Sequence, residues 1–416
     1  MSVTFTARAT RVISRCRQLA ACTEVPGETT RPFLVPSMHQ VHGLVRNWME
    51  AAGMTVHVDA MGNIRGLYPA TTPEAPRLIL ASHLDTVPNA GPFDGVLGVV
   101  VAVTLIEQLH GQPLPYAIEV IGFSEEEGVR YAKPFLGSLA VVGKITREIL
   151  ALTDNEGITI EQALLDFNLD PTQLPDAILP QNTFAYLELH IEQGPVLESE
   201  DLPLGIVDRI AGQTRAQLIF TGQANHAGTT PMHLRHDAMA AAAEWITAVE
   251  DYASSHQPLV ATVGKIETLP GATNVIPGQV TASLDVRHAD DAIRKTATAA
   301  ILQYAETAAE KRGVQLTVNP QLDHPAVPLN PHLITMLQEA AAHAGHRSRT
   351  ITSGAGHDAM ILAPVIPSAM LFLRSPAGLS HHRDENVLPQ DVEAAIATAM
   401  EFLTRLRNDK TKDIHA

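Results

Sequence analysis

Two short segments of the chain carry residue types that bind divalent metals. The first is Ser82-His83-Leu84-Asp85-Thr86, and the second is Gly91-Pro92-Phe93-Asp94-Gly95. His83 follows an apolar run of strand length, and open α/β sheets hold their ligands at the ends of such strands. A metal-binding imidazole needs its other ring nitrogen anchored, and Asp85 has the same sidedness as His83 on an extended chain. Asp94 lies in a glycine-flanked turn that lets it present both carboxylate oxygens. Either segment alone is more often an ordinary turn than a metal site.

An acidic run follows a second apolar strand, which ends at Phe123. Its members are Glu125, Glu126 and Glu127. Adjacent acids usually form a solvated face or the first turn of a helix, but these end a strand at the same sheet edge as His83. Like charges crowded there repel one another unless a cation compensates them or one holds a proton. We therefore expect a metal ligand beside a general base, because neighbouring carboxylates in different environments can divide these roles.

Two histidines complete the set. His190 lies near the end of a third apolar strand, and His381 follows a fourth. A single histidine is more often a satisfied polar residue than a ligand, but those odds reverse when several donor residues fall at strand ends of one sheet. Nitrogen and oxygen ligands without a thiolate suit two divalent ions bridged by a carboxylate, and Zn²⁺ or Mn²⁺ would be accepted. Two such ions can share a hydroxide and polarise a carbonyl, which is hydrolytic chemistry.

The elements that must position these residues follow an α/β pattern. Strands and helices alternate over residues 77–124, another strand covers 184–191, and residues beyond 330 give a helix, a strand and a closing helix at 332–344, 368–374 and 391–407. Such alternation predicts a mixed central sheet flanked by helices on both faces.

The stretch between these parts has a different pattern. It reads as strand, helix, strand, strand, helix, strand at 216–221, 236–255, 261–267, 280–287, 291–312 and 314–319. This βαββαβ order is that of a compact ferredoxin-like unit. We therefore predict a catalytic domain formed by residues 1–211 and 325–416, with an inserted lid or dimerisation domain at 212–324.

Composition limits the class of protein. The chain has 416 residues and a formal net charge of −16, which disfavours a nucleic-acid partner. No apolar run approaches the roughly 20 residues of a membrane-spanning helix, so no membrane association is expected. Two cysteines, Cys16 and Cys22, cannot build a disulfide framework, which fits a cytoplasmic protein. The arginine-rich first 23 residues leave an organellar presequence open, but Val12, Cys16 and Leu19 share one helical face, which favours an amphipathic helix.

These segments together resemble the M20 family of metal-dependent peptidases and amidohydrolases, from about Glu28 to Val387. Within that family the chain resembles the branch that hydrolyses N-carbamoyl compounds. The resemblance rests on residues 190–195 (HIEQGP), 222–232 (GQANHAGTTPM) and 353–359 (SGAGHDA). Residues 30–37 (TRPFLVPS), 211–215 (AGQTR) and 354–360 (GAGHDAM) look more like allantoate amidohydrolases than generic carbamoylases.

The resemblance implies a role for each member of the candidate metal centre. Asp94 would bridge two divalent ions, either Mn²⁺ or Zn²⁺. His83, Asp94 and His190 would hold one ion, while Glu127 and His381 would complete the set on the other. Glu126 would be the general base and then the general acid.

The resemblance also implies roles for residues outside the metal centre. His226 of the partner subunit would stabilise the oxyanion, which requires a homodimer formed through the lid domain. Asn274 and Arg287 would grip the substrate carboxylate, Arg287 through its bidentate fork. Gln193 and His357 would line the pocket. Asp358 would either line the pocket as well or cap the following helix.

One departure from the branch concerns the terminal ligand. The branch usually continues after Ser380-His381 with a proline and an acid, whereas this chain has His382-Arg383-Asp384-Glu385. The adjacent His382 makes the ligand ambiguous. We choose His381 because it directly follows Gly378-Leu379-Ser380.

The expected function is therefore hydrolysis of a small ureido acid. Allantoate is the leading substrate, with ammonia, carbon dioxide and a ureidoglycine-type compound as products. The alternative is an N-carbamoyl-L-amino acid amidohydrolase or β-ureidopropionase with the same mechanism. An M20 peptidase and a non-catalytic binding protein are disfavoured, because the carbamoyl-type segments and the full set of ligands are present.

Overall fold

The chain folds into two compact units. The computed structural model describes residues 2–408, and the side chains of residues 7–408. The first unit contains the chain up to Asp208 and from Pro328 onward, and the second contains Arg209–Val327. The second unit thus begins before residue 212 and ends after residue 324, the two limits expected from the sequence.

The strands of the first unit form one large mixed sheet. Its order is β1-β2-β4-β3-β5-β16-β6-β14, with β15 paired to β6. The bounds are β1 Thr55–Val58, β2 Ile64–Tyr68, β3 Arg77–His83, β4 Ala117–Phe123, β5 Thr183–Ile191, β6 Leu204–Ile210, β14 Val327–Pro328, β15 Ser348–Ser353 and β16 Ser368–Leu373. The four neighbours β4, β3, β5 and β16 run parallel, whereas β1, β2 and β6 pair antiparallel. The expected mixed sheet is confirmed.

The first unit also contains helices, which lie before, between and after these strands in the sequence. Their bounds are α1 Ser2–Ala20, α2 Ser37–Ala51, α3 Val96–Gln108, α4 Leu136–Val141, α5 Arg147–Leu150, α6 Ile160–Asp166, α7 Val196–Ser199, α10 Pro331–His343, α11 Ala359–Leu362 and α12 Pro389–Asn408. Short 3₁₀ turns cover Pro171–Ala177 and Pro376–Gly378. No helix in the described part of the chain is both long and apolar enough to cross a membrane.

The central helix α3 is buried on every side. All of its residues from Val96 to Ile106 are buried, because the segment carries no polar face. It packs closely against β5: a Cβ atom on Gly98 would lie 2.1 Å from the carbonyl oxygen of Leu189. The helix therefore supports β3 and β5 directly beneath the candidate site.

The first helix, α1, belongs to the core of this unit. Val12, Cys16 and Leu19 are fully buried. Three of its arginines form ion pairs, Arg8 with Glu393 and both Arg11 and Arg15 with Glu107. The amphipathic-helix interpretation of this arginine-rich segment is thus confirmed.

The second unit is an antiparallel sheet with two helices. Its sheet has the order β10-β12-β7-β13, and β9 also pairs with β12. A short pair, β8 with β11, lies outside that sheet. The bounds are β7 Gly212–Thr221, β8 Asn225–His226, α8 Ala238–Ser255, β9 Val260–Thr262, β10 Ile266–Leu269, β11 Val275–Ile276, β12 Gln279–His288, α9 Asp291–Lys311 and β13 Gln315–His324.

The predicted βαββαβ order describes this unit with one correction. The single strand expected at 261–267 is wrong, because the chain leaves the sheet between β9 and β10, around Gly264. Both helices pack on one face, where Trp245 and Ile301 are fully buried. A ferredoxin-like sandwich results.

Candidate metal centre

Four neighbouring parallel strands deliver the candidate ligands to one edge of the large sheet. His83 is the last residue of β3, and the acidic run Glu125–Glu127 follows β4 directly. His190 is the second-last residue of β5, and His381 follows β16 after a short 3₁₀ turn. Because carboxyl ends of parallel neighbours meet at one edge, residues distant in sequence converge there.

The first donor group gathers around one oxygen of Asp94. Nε2 of His190 lies 3.2 Å from Oδ1 of Asp94, and Nε2 of His83 lies 3.6 Å from the same oxygen. The two imidazole Nε2 atoms are 3.4 Å apart. Ligand atoms around a tetrahedral ion with bonds of about 2.1 Å are about 3.4 Å apart, so the spacing fits one divalent cation.

The second donor group gathers around the other oxygen of Asp94. Nε2 of His381 lies 3.3 Å from Oδ2 of Asp94 and 3.6 Å from Oε1 of Glu127. All donor atoms of this group lie within 4.8 Å of one another. Asp94 therefore has one oxygen in each group, which is the arrangement of a bridging carboxylate.

The orientation of the two buried imidazoles supports a cation between them and Asp94. Nδ1 of His83 faces the backbone oxygen of Asp85 at 3.1 Å, and Nδ1 of His190 faces that of Ile191 at 2.9 Å. A carbonyl oxygen only accepts, so each Nδ1 carries a proton and a neutral ring points its Nε2 lone pair at Asp94. Oδ1 of Asp94 is buried without a hydrogen-bond partner. Lone pairs aimed at a carboxylate oxygen repel it unless protons or a cation lie between them.

Asp85 positions both parts of the centre. Besides the backbone contact to His83, its carboxylate accepts hydrogen bonds from the backbone N–H groups of Glu126 at 3.0 Å and Glu127 at 3.1 Å. The expected anchoring of His83 is therefore made mainly through the backbone oxygen, since Oδ1 lies 3.4 Å from Nδ1. The carboxylate itself fixes the acidic run.

Burial and neighbouring charges shift the pKa values of the carboxyl groups in the centre. Burial raises the pKa of Glu126 well above its usual range, with an added contribution from Glu127. Burial also raises the pKa of Glu127 to about 7, helped by Asp94. For Asp94, burial alone would raise the pKa, but the neighbouring imidazoles of His190, His381 and His83 hold it well below its usual range. Such a cluster of buried acids is the electrostatic setting that a divalent cation satisfies.

Sequence reasoning missed Glu385, which is 3% exposed. Its Oε1 accepts hydrogen bonds from the backbone N–H groups of Phe93 at 2.9 Å and Asp94 at 3.0 Å. The hydroxyl of Ser380 donates to Oδ2 of Asp94 at 3.0 Å and lies 3.4 Å from Oε2 of Glu385. A side chain that accepts mainly from backbone N–H groups leaves no spacing signal in a sequence. Its place four residues after His381 was the one available pointer.

Gln193 and His382 have clear positions in the structure. Nε2 of Gln193 donates to Oδ2 of Asp94 at 2.9 Å, and its backbone has a positive φ of 58°. The side chain of His381 is directed at Asp94 and Glu127, whereas Nδ1 of His382 accepts from the backbone N–H of Asp384 at 3.2 Å. The structure thus places His381, rather than His382, in the donor cluster.

His357 and Asp358 lie in a buried polar layer beside His190. The His357 ring is 4.6 Å from that of His190, and its Nε2 lies 2.9 Å from the hydroxyl of Ser353. Burial lowers the pKa of His357 well below its usual range. The capping alternative for Asp358 is wrong, because its side chain makes no cap and the N–H of Ala359 donates to Glu188.

In the second unit, His226 has a defined tautomer. Its Nδ1 accepts hydrogen bonds from the backbone N–H groups of Gly228 at 3.0 Å and Thr229 at 3.2 Å. The proton of a neutral ring is therefore on Nε2, on an exposed side chain. His226 pairs with Val275, and the N–H of Ala227 donates to the backbone oxygen of Asn274, so His226 and Asn274 are neighbours.

Arg287 lies at the other end of the same unit. Asp285 holds its guanidinium through two hydrogen bonds of 2.9 Å. Along β12, Arg287 is eight residues from Gln279, the end next to β11. At the rise of an antiparallel strand this corresponds to about 27 Å. Within one chain, therefore, the structure brings Asn274 together with His226 but not with Arg287.

Known proteins resemble this chain over most of its length. Residues 79–405 match the model of Peptidase family M20/M25/M40. Allantoate deiminase 2 of Glycine max is 37% identical over 430 residues, covering 95% of this chain and 89% of that protein. The N-carbamoyl-L-amino acid amidohydrolase of Geobacillus stearothermophilus is 40% identical over 376 residues, covering 89% of this chain and 92% of that protein.

A solved structure shares the architecture. The amidase of the hydantoinase/carbamoylase family from Burkholderia multivorans superposes with a TM-score of 0.89 at 33% identity. The match covers 95% of this chain and 97% of the Burkholderia chain. Sequence and structure comparisons thus agree on the kind of protein that this chain resembles.

Proposed function

This chain belongs to peptidase family M20/M25/M40, and on that basis we propose that it hydrolyses the ureido group of a small carboxylate, with allantoate as its substrate. The observation that carries the proposal is the convergence of His83, His190, Glu127 and His381 on the two oxygens of Asp94. The same chain resembles curated amidohydrolases that act on allantoate and on N-carbamoyl amino acids.

Two divalent ions fit the two donor groups. His83, Asp94 and His190 would hold one ion, and Asp94, Glu127 and His381 would hold the other. When bound, the ions supply Lewis-acid activation of the attacked carbonyl and of the attacking water. Mn²⁺ and Zn²⁺ both accept this set of nitrogen and oxygen ligands.

Glu126 is the group that moves protons. Its carboxyl oxygen lies within 4.8 Å of donor atoms of His83 and Glu127, and its backbone N–H is fixed by Asp85. Burial raises the pKa of Glu126, which makes its carboxylate a better proton acceptor than an exposed glutamate. Glu126 therefore accepts a proton from the attacking water and delivers it to the departing nitrogen.

The reaction balances with one water. The water oxygen forms a bond to the ureido carbon, one C–N bond breaks, and the departing nitrogen receives the proton held by Glu126. The carbamic acid that remains loses carbon dioxide. The net products from allantoate are ammonia, carbon dioxide and a ureidoglycine-type compound.

The second unit supplies the remaining polar groups. The exposed Nε2–H of His226 is oriented as a hydrogen-bond donor for an oxyanion, and Arg287 offers charge for the substrate carboxylate. Because about 27 Å of strand separates Arg287 from the end of the unit near His226, one small substrate cannot contact both in one chain. A homodimer, in which His226 and Asn274 of the partner subunit complete the site, accounts for this separation.

The test is a substrate panel with purified, Mn²⁺-loaded protein. We expect ammonia release from allantoate, with a ureidoglycine-type product identified by mass spectrometry. Absence of turnover on allantoate together with turnover of N-carbamoyl-L-amino acids or N-carbamoyl-β-alanine would establish the alternative. The 40% identity to the Geobacillus enzyme is the observation that favours this alternative. Cleavage of dipeptides alone would contradict both.

We place the protein in the cytoplasm. Both cysteines are buried free thiols rather than disulfide partners, which fits a reducing compartment.

A further inference from the structure

A buried carboxylate connects the segment of His381 to the turn of Asp94. Glu385 lies at the end of the stretch 374–385, which leaves β16 and carries His381. Its Oε1 accepts hydrogen bonds from the backbone N–H groups of both Phe93 and Asp94. The contact joins two parts of the chain about 290 residues apart in sequence.

The turn is shaped to admit this side chain. A Cβ atom on Gly91 would lie 2.2 Å from Cβ of Glu385, a distance that real atoms do not reach. Gly91 has no such atom, so the carboxylate approaches the turn closely enough to meet its N–H groups. Residue 91 and residue 385 are therefore complementary in shape.

The stretch that Glu385 holds is anchored at its start, where Arg374 donates two hydrogen bonds to Asp391 and the hydroxyl of Ser375 accepts from the backbone N–H of Gln193. His381 is half exposed and has a positive φ of 54°, as does Ala377 at 58°. Further along the stretch, the backbone N–H of Ala377 donates to Glu198 and the hydroxyl of Ser380 donates to Asp94. By contrast, His83 and His190 are held within β3 and β5. The imidazole of the second donor group thus depends on an irregular segment, whereas both imidazoles of the first group depend on regular strands.

We propose that Glu385 is a positioning residue that latches the His381 segment onto the Asp94 turn and thereby sets the affinity of the second donor group. Glu385 is not itself a ligand. It acts through the backbone of Asp94 and through Ser380. The hydroxyl of Ser380 donates to Oδ2 of Asp94, the oxygen around which His381 and Glu127 gather. The inference rests on the proposed two-ion function, but it concerns ion binding and not the identity of the substrate.

The test is equilibrium dialysis of the full-length chain against buffered free Mn²⁺, with bound ions counted by elemental analysis. The unmodified chain should bind two ions. Glu385→Ala should bind the second ion about 10–100-fold more weakly, the usual cost of losing a partner that orients a ligand. The first ion should stay bound, and its affinity should fall several-fold less than that of the second ion. Equal weakening of both ions, or no weakening, would overturn the proposal.

Glu385→Gln provides the conservative control. Its amide oxygen can still accept from Phe93 and Asp94, so the affinity for the second ion should return to within a few-fold of the original. A second control is Asp290→Ala in the other unit, which likewise removes a carboxylate oxygen that accepts two backbone N–H groups. It should leave both Mn²⁺ affinities unchanged. Selective loss of affinity for the second ion in Asp290→Ala would show that the effect is not specific to the contact between Glu385 and the Asp94 turn.

Gly91→Ala tests the latch without removing its carboxylate. The added Cβ displaces Glu385 from the turn, so the same selective loss of the second ion is expected. Circular dichroism and thermal melting identify any variant that fails to fold, and Gly91→Ala and Glu385→Gln then decide the matter. Failure to hydrolyse allantoate with normal Mn²⁺ binding would count against the proposed substrate and leave the latch intact.

Discussion

At the scale of single residues, the centre depends on the different environments of neighbouring acids. Glu126 and Glu127 are adjacent in the chain, yet only Glu127 belongs to the group around Oδ2 of Asp94. Asp85 holds the backbone N–H groups of both and so fixes which carboxyl group faces which partner. The proposed division between a ligand, Glu127, and a proton carrier, Glu126, thus rests on backbone hydrogen bonds.

Glu126→Gln separates these two roles. Gln cannot accept and return a proton, so kcat on the preferred substrate should fall about 10²–10⁴-fold. Because the donor groups around Asp94 remain, equilibrium dialysis should still give two bound Mn²⁺ ions. Loss of ions together with activity would show that Glu126 is a ligand instead.

Arg287→Lys tests the carboxylate grip of the second unit. Lys cannot form a bidentate pair, so KM should rise about 10–100-fold with a smaller change in kcat. Arg215→Lys is the matched control, because Arg215 also donates to Asp285 but has no proposed substrate contact. Steady-state kinetics should show a normal KM for that control. A KM unchanged in Arg287→Lys would remove Arg287 from the binding site.

At the scale of elements, helix packing supports the strands that carry the ligands. The apolar helix α3 begins two residues after Asp94, and it contacts β3, β4 and β5. Gly95, with φ +63°, precedes it, and a Cβ there would lie 2.4 Å from the ring of His83. The start of α3 and the end of β3 are therefore fitted to each other without spare volume.

Gly98→Ala should disturb this packing. The new Cβ meets the backbone oxygen of Leu189, which cannot move without shifting β5, so unfolding free energy should fall by about 1–3 kcal/mol. Gly43→Ala on α2 has open space around its Cβ and should be neutral or stabilising by up to about 1 kcal/mol. Denaturant unfolding with ions present measures both. Equal effects of the two substitutions would contradict the packing argument.

Helix α2 carries a buried histidine that makes stability depend on pH. Burial lowers the pKa of His42 to about 4, with a further contribution from His39. An unfolded His titrates near 6.5, so between pH 4 and 6.5 the unfolded chain binds more protons than the folded chain. Titration of this group therefore leaves the free energy of unfolding unchanged above pH 6.5. The free energy of unfolding then falls as the pH drops toward 4, by up to about 1.4 kcal/mol per pH unit. His42→Gln should show a shallower loss of unfolding free energy between pH 6.5 and 4.5 than the unmodified chain, and an identical slope would exclude His42 as its source.

At the scale of the whole molecule, features that depend on periodicity could be predicted from the sequence, whereas features that depend on tertiary contacts could not. The alternation of apolar strands and helices was sufficient for the mixed sheet, since its parallel strands place His83, Glu127, His190 and His381 at one edge. The second unit begins at Arg209 and ends at Val327 rather than at 212 and 324, because only short breaks separate β6 from β7 and β13 from β14, and nothing in the composition marks the boundary there. Glu385 was missed because its shortest hydrogen bonds come from backbone N–H groups, which every residue except proline offers.

Complementation tests the proposed homodimer. Glu126→Gln and His226→Ala chains should each be nearly inactive alone. When they are mixed and allowed to exchange subunits, half of the dimers are hybrids, and each hybrid has one site with an intact Glu126 and His226 of the partner subunit. Activity should recover to about a quarter of that of the unmodified dimer. No recovery despite verified subunit exchange would mean that His226 acts within its own chain.

The recruitment of ligands from four adjacent strands has a consequence for biogenesis. Within the described residues neither donor group lies in one short stretch of sequence, because the first and last proposed ligands, His83 and His381, are separated by most of the chain. A nascent or partly unfolded chain therefore offers metal ions only scattered weak contacts, and tight uptake must await a finished sheet. If the two proposed ions bind the native state alone, their concentration raises the free energy of unfolding, and a shortage of metal would shorten the lifetime of the protein as well as lower its activity.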